Sequence, residues 1–375
     1  MFVLPLVVAP MLLTVPVREQ LVPDTTWVGK IVFVKTAGTR IDPSPEPNEP
    51  TPIDKGAMFS TMIQYRVYGE RPNHVQVKTR EGVSGWMRKT DVVLLEDAVA
   101  FFTTQIAARP NDASGYSRRG SAWKSKGEFD QALKDATEAI RLSPNAAYYN
   151  NRATIWHAKK DYDKAIADYG QAISLNPRYG LAYTNRANMW NGKKEYDRAI
   201  EDTTQAMQFD PKSPNPHHVR GVAWQGKKEY DKAIADLNRA LELDPKFAQA
   251  RSERGKAHAA RKNYAQAHED FNEAFRLEPT NVIAASALAF WLASSPDGQY
   301  RDGKRALELA RRAHQQDWGH VRAIEALAAA HAEMGQFAEA VRWQERALQE
   351  PSLKNNDAAH ARLELYRQKK PYRQE

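Results

Sequence analysis

From Ala113 to Leu348 the small and apolar positions return in one fixed order. Gly120, Trp123, Phe129, Ala132, Ala139 and Pro144 set the template. It recurs as Ala153, Trp156, Tyr162, Ala165, Ala172, Pro177 and as Ala187, Trp190, Tyr196, Ala199, Ala206, Pro211. Two further copies are Gly221, Trp224, Tyr230, Ala233, Ala240, Pro245 and Gly255, His258, Tyr264, Ala267, Ala274, Pro279. Pro110 and the closing prolines Pro144, Pro177, Pro211, Pro245 and Pro279 stand 34, 33, 34, 34 and 34 residues apart. Each period holds two apolar-periodic stretches joined by a short polar turn such as Lys159-Lys160-Asp161, which predicts two helices. The small residue and the later alanine let the pair approach closely, and the aromatic fills the space beside them. The closing proline cannot continue a helix and pushes the preceding residue out of α geometry. A single hairpin cannot bury its apolar face, so the units must stack.

This pattern resembles the tetratricopeptide repeat over roughly two thirds of the chain. The resemblance implies a mainly α fold: a right-handed α-solenoid of about seven helix hairpins across 96–350. Units are predicted to start near 113, 146, 180, 214, 248, 282 and 321. A helix over 96–110 would serve as a half-unit, and Asp357–Lys370, within a terminal segment 351–375, as a polar cap. The sixth unit departs from the template, because Ser294 to Gly303 lengthens its turn.

A second regularity sits inside the first. Arg119, Arg152, Arg186, Arg220 and Arg254 each precede an aspartate by sixteen residues: Asp135, Asp168, Asp202, Asp236 and Asp270. That spacing runs from the first helix, round the turn, to the facing part of the second. A bidentate arginine–carboxylate clasp is predicted in each hairpin. Leu288 and Leu327 replace the arginine in the last two units.

Before the repeats the pattern changes. Val28–Lys35, Thr61–Val67, Val75–Thr79 and Val83–Met87 read as short strands separated by Gly, Asn and Pro. Glu81 to Met87, with its Gly85-Trp86 pair and the following Asp91-Val92-Val93, resembles the closing strands of a bacterial SH3-like domain. The resemblance implies a small β-barrel over 23–95, of a kind that often recognises cell-wall peptides. Asp42 to Pro52 is a proline-rich stretch predicted to be stiff and extended. Met1 to Val17 carries no side-chain charge, and residues 1–22 are read as a secretory signal or an anchor. No basic residue precedes the apolar run, and its prolines argue against an ordinary helix. Export to the periplasm or envelope, or association with a membrane, follows as an expectation, with a cytoplasmic chain as the alternative.

Composition narrows the chemistry. The 375 residues contain no cysteine, which removes thiolate nucleophiles, thiolate metal sites and disulfides. No phosphate loop, nucleophile elbow or metal-ligand spacing is present, so a non-enzymatic chain without cofactor or metal is expected. The formal charge is +8, and Lys159-Lys160, Lys193-Lys194, Lys227-Lys228 and Arg261-Lys262 fall at equivalent turns. Each pair is followed by Asp, Glu or Asn, and no aromatics are interleaved, which disfavours nucleic acid as a partner. Membrane contact is expected only through the leader.

The tetratricopeptide resemblance implies a concave groove lined by successive first helices, taking a protein or peptide. The matching positions here include Arg118, Asn150, Asn151, Asn185, Asn188, His218 and Lys256. Asparagine amides both donate and accept, so these could hold the backbone of an extended peptide. The basic residues with which some family members clamp a C-terminal carboxylate are incomplete here. The expected function is therefore a scaffold or adaptor; the alternatives are an envelope-targeting module or a regulatory subunit of another enzyme.

Overall fold

The computed structural model describes residue 27 and residues 30–35, 64–78 and 84–374. The apolar leader and the proline-rich stretch lie outside the described residues. Five strands come first: β1 Ile31–Val34, β2 Gln64–Glu70, β3 His74–Lys78, β4 Ser84–Arg88 and β5 Val92–Leu94. They form one antiparallel sheet in the order β4-β3-β2-β1-β5, with an irregularity between Val67 and Gly69. Alternation sets its core, because Val32, Tyr65, Val67, Val75, Val77, Met87 and Val92 all point to one buried cluster. The expected barrel is not what the described strands make. β4 and β5 are the two ends of the order and do not pair, so the sheet is open.

β5 runs directly into α1 (Leu95–Ala108). Phe33 and Val93 from the sheet meet Ala98 and Phe102 of α1 and Ala122 of the next helix in one buried cluster. The sheet is thus fixed to the helices through shared apolar burial.

Fifteen more helices follow among the described residues, for sixteen in all. They are α2 (Ala113–Ser125), α3 (Phe129–Leu142), α4 (Ala146–Ala158), α5 (Tyr162–Leu175), α6 (Gly180–Gly192), α7 (Tyr196–Phe209), α8 (Pro214–Gly226) and α9 (Tyr230–Leu243). Next come α10 (Ala248–Ala260), α11 (Tyr264–Leu277), α12 (Val282–Ser294), α13 (Gly303–Gln316), α14 (Val321–Glu333), α15 (Phe337–Leu348) and α16 (Asp357–Arg367). Even-numbered helices from α2 to α14 open each hairpin and odd-numbered ones close it. Opening helices touch the next opening helix, with α4 and α6 joined through an Asn185–Asn150 hydrogen bond, so these helices lie side by side along one face.

The turns explain why the hairpins are so uniform. Lys160, Lys194, Lys228 and Lys262 each adopt a left-handed backbone, with φ of 61–62°. At this point in the first and seventh hairpins stand Gly127 and Gly335, at φ of 82° and 73°. The left-handed residue closes the first helix and aims the chain back. Within a hairpin the close approach is measured at Gly120, where an added Cβ would lie 3.1 Å from the Ala132 carbonyl oxygen.

The last units pack differently from the first. α12 is apolar on every side, and Leu288, Trp291 and Leu292 join Leu309, Ala310 and Leu327 in a single cluster that extends from Ala259 of α10 to α14. Leu288 and Leu327, at the positions where earlier units carry arginine, are buried. An apolar residue there replaces the ion pair with direct packing.

Candidate functional site

The arginine–aspartate clasps form as the sixteen-residue spacing predicts. Arg119 reaches Asp135 at 2.8 and 2.8 Å, and Arg152 reaches Asp168 at 2.8 and 2.7 Å. Arg186–Asp202, Arg220–Asp236 and Arg254–Asp270 are bidentate in the same way. Hydrogen bonding to the aspartates raises the pKa of Arg119, Arg152, Arg186 and Arg254. These arginines are committed to structure and not offered as an anion stripe. His217 adds a contact to Asp236 at 3.3 Å. Burial pushes the Asp236 carboxyl up, but His217 and Arg220 together bring it below its ordinary value.

The basic turn residues are likewise partnered across units. Lys159 bonds Asp130 at 2.5 Å and Arg261 bonds Asp231 at 2.6 Å, while Lys193 pairs with Asp163 and Lys227 with Asp197. The first residue of each basic pair is therefore neutralised by an aspartate of the preceding unit.

On the face shared by the opening helices, the predicted groove residues divide into two groups. Asn150 and Asn151 are buried, at 4% and 5% exposure. The Asn185 amide donates to the Asn150 oxygen at 3.0 Å, and Asn151 donates to the Ser117 hydroxyl at 3.3 Å. Their amides tie α4 to α6 and α2, so the expectation that Asn150 and Asn151 present free amides to a peptide is not met. Full burial between neighbouring helices is the reason. Asn191 similarly donates to the Val219 carbonyl at 3.0 Å. Arg118 turns toward the sheet and donates to the Lys35 carbonyl at 2.8 Å. Burial pulls its pKa down, against the opposing pull of Asp112 and Tyr148.

The second group remains accessible. Asn188 is exposed on α6. His218 on α8 is half-buried against the Phe247 ring at 5.0 Å, and burial lowers its pKa, so the neutral imidazole is favoured. Lys256 on α10 bonds Glu253 at 2.7 Å, with side-chain exposures of 34% and 15%. Arg322 on α14 approaches the same Glu253 oxygen at 3.9 Å and is 48% exposed. Burial raises Glu253, but Lys256 and Arg322 outweigh it and hold the carboxylate below its usual range. Burial lowers Lys256 more than Glu253 restores it. With one carboxylate between two cations, this cluster keeps one positive charge in excess.

Sequence reasoning named His218 and Lys256 but missed Arg322 as part of the set. It lies 66 residues beyond Lys256, in a unit whose arginine–aspartate signature is absent. Among the described residues, no three His, Asp or Glu gather closely enough to hold a metal ion. No helix among them is long and apolar enough to cross a membrane.

Comparisons with known proteins agree with this architecture. Tetratricopeptide repeat models match residues 146–179, 248–281 and 321–349, and a TPR repeat model matches 226–260. A tetratricopeptide repeat protein from Parabacteroides merdae is 18% identical, with a TM-score of 0.52 over 68% of this chain and 99% of that one. Yeast Tom70 is 18% identical with a TM-score of 0.53, over 73% of this chain and 58% of its own. A chain of the APC/C hetero-tetramer Cut9-Hcn1 is 17% identical with a TM-score of 0.53, over 63% of this chain and 46% of its own. The match thus spans about half the length of the last two. No curated protein sequence matches the chain significantly. Tetratricopeptide repeats are thus present at 146–179, 226–281 and 321–349, and the sixteen helices among the described residues are arranged in a solenoid like that of tetratricopeptide repeat proteins.

Proposed function

We propose that this chain is a non-enzymatic scaffold that binds a protein or peptide along the face of its opening helices. Tetratricopeptide arrays are generally interaction scaffolds, and that generality gives the class of function but not the site. The observation that carries the site is the cluster of His218, Glu253, Lys256 and Arg322. Three opening helices contribute to it, it has one uncompensated positive charge, and the Phe247 ring forms its apolar flank. Lys256 is partly buried beside Glu253, so an acidic group on a partner gains more from it than from a cation at an open surface. Asn188, exposed farther along the same face, is the polar contact on the N-terminal side.

The test uses the full chain beside its Asn188→Ala/Lys256→Glu/Arg322→Glu variant, both as bait in fractionated lysate of the source cell. Mass spectrometry of the captured proteins and a melting curve for each bait are recorded together. A partner held by the parent chain and lost by an equally stable variant supports the reading. Retention of every partner by the variant removes the site from this face.

The SH3-like identity of the sheet and an envelope location belong to the same proposal. They are supported by the Gly85-Trp86 pair and by the uncharged leader. N-terminal sequencing of the chain from cells would show whether the leader is cut.

A further inference from the structure

The segment after α16 turns back onto the array. Lys369 takes a left-handed backbone, with φ of 57°, and the Lys370 amide closes the turn on the Leu365 carbonyl at 2.9 Å. Residues 371–374 then run across the opening helices of the last two units. The Gln374 amide donates to the Ser294 carbonyl at 2.8 Å, and the Arg373 guanidinium donates to the Ala293 carbonyl at 3.3 Å. Arg373 also pairs with Glu333 at 2.7 Å, off the angle a hydrogen bond needs. The Tyr372 ring lies 6.0 Å from Phe290, and the Arg362 guanidinium stands 5.7 and 5.6 Å from these two rings.

The places of these contacts in the repeat identify the surface. Phe290 occupies in α12 the position that Ser121 occupies in α2, and Ala293 and Ser294 occupy those of Lys124 and Ser125. Glu333 stands in α14 where Ser125 stands in α2. Phe290 shares its register with Asn188 and Lys256 on the opening-helix face, while Ala293, Ser294 and Glu333 stand at the C-terminal ends of the opening helices α12 and α14. The segment therefore lies against the opening helices, held by one main-chain bond, one arginine bond to a carbonyl, one ion pair, and packing of Tyr372 against Phe290 and the cluster of Ala328, Ala332, Ala340 and Tyr366.

We propose that residues 371–374 are a self-ligand, and that the site they cover on α12 and α14 accepts from another protein a peptide in which an aromatic residue is followed by arginine. This rests on the reading of the opening-helix face as the binding face, and it names the chemistry of one end of it. The C-terminal end of α12 supplies the carbonyls of Ala293 and Ser294, which carry the negative end of the helix dipole and favour a cation. Glu333 adds a carboxylate, shared with Arg301 at 3.2 Å. Phe290 and Arg362 supply the surfaces against which an aromatic ring packs. Arginine suits the cation position because its fork can reach a carbonyl and a carboxylate together. Because the resident segment is tethered, it competes at an effective concentration of roughly millimolar. A free peptide should thus reach the site only when the tether lets go or is absent.

The test is fluorescence anisotropy with a labelled synthetic peptide of residues 368–375, titrated with three proteins. These are the full chain, the chain lacking residues 371–375, and the full chain carrying Tyr372→Ala and Arg373→Ala, which keeps the backbone. Circular dichroism melts establish that each is folded. Saturable binding to the deleted or doubly substituted chain, about 100-fold weaker to the parent chain, is the expected result. Phe290→Ala or Glu333→Gln in the deleted chain should weaken it at least about tenfold. Absence of saturation with folded deleted and doubly substituted chains overturns the proposal, as does binding indifferent to Phe290 and Glu333. A dimer of the parent chain that the deletion abolishes also overturns it, since the segment would then serve a second copy. The cluster around Lys256 is untouched by these changes, so failure here with continued partner capture there separates this inference from the broader one.

Discussion

Lys160, Lys194, Lys228 and Lys262 hold a backbone conformation that side chains with a Cβ disfavour by about 1–2 kcal/mol. Glycine would relieve that strain, while its extra freedom in the unfolded chain offsets roughly 0.5–1 kcal/mol. Lys228→Gly should therefore raise stability by up to about 1 kcal/mol, visible as a higher urea midpoint; a lower midpoint would show that Lys228 gains more from its surroundings than its backbone loses. The clasps make the opposite case. Asp202 is 5% exposed, so Arg186→Ala leaves a buried carboxylate without its cation and should cost about 1–3 kcal/mol. An unchanged melting temperature would remove the clasp as a stabilising contact. Histidine titration supplies a third prediction. His157, His218, His258, His268, His314 and His320 all have pKa values lowered by burial. At His268 the Nδ1 atom accepts from the Trp291 indole at 3.2 Å, which requires that nitrogen to be unprotonated. Between the folded values and the ordinary 6.5, the unfolded chain binds more protons than the folded one. Stability should thus be full above about pH 6.5 and fall as the pH drops through that window. Melting at pH 7.5 and 5.0 checks the sign, and His268→Phe should flatten only its own share.

At the scale of elements, the sequence was legible wherever a contact repeats and opaque wherever it occurs once. Each hairpin was readable because the Gly120-to-Pro144 template returns, and the clasp was readable because sixteen residues separate Arg from Asp in five successive hairpins. The unit-to-unit pairs, such as Arg261–Asp231, follow an equally regular spacing of about thirty residues. They are legible in the same way, because the basic turn residue and the aspartate of the preceding unit recur together. The asparagines illustrate a different limit. A polar position on the expected binding face carries no mark of whether the next helix will cover it, and Asn150 and Asn151 are covered. The sheet shows a third. Alternation and the Gly85-Trp86 pair marked strands correctly, but closure depends on whether β4 meets β5, which no local pattern encodes. The apolar seam between β1, α1 and α2 carries its own expectation. Phe102 is fully buried where these elements meet, so Phe102→Ala should cost about 3–5 kcal/mol. Calorimetry should record the sheet and the first hairpin melting earlier together; loss of the sheet alone would show that α1 does not couple them.

Stacked repeats are stabilised by each unit and by each neighbouring interface, so stability can vary along the molecule. Here the interfaces are unequal. Units two and three share a modest cluster of Ala153, Ala165, Tyr169 and Met189, with Trp156 and Tyr162 only partly buried against it. From α11 to α14 the chain instead shares one cluster that includes the fully buried Trp291 and Leu288. The segment 371–374 adds one main-chain bond and one arginine side-chain bond over the end of α12. Local opening draws on the least buried regions first, so amide exchange should be slowest in α12 and α14 and faster in α4 to α7. Trp291→Ala should cost about 3–5 kcal/mol and accelerate exchange across α11 to α14 together. Trp156 is only partly buried, so Trp156→Ala should cost less and accelerate exchange mainly in its own hairpin and the next. Uniform exchange along all sixteen helices would mean that the array opens as one cooperative body. The gradient would place the rigid end of the solenoid beside the self-ligand and the more mobile units toward Asn188, where a partner would meet a face able to adjust its curvature. That is the physical arrangement a scaffold needs when one end must hold a fixed shape and the other must accommodate what it binds.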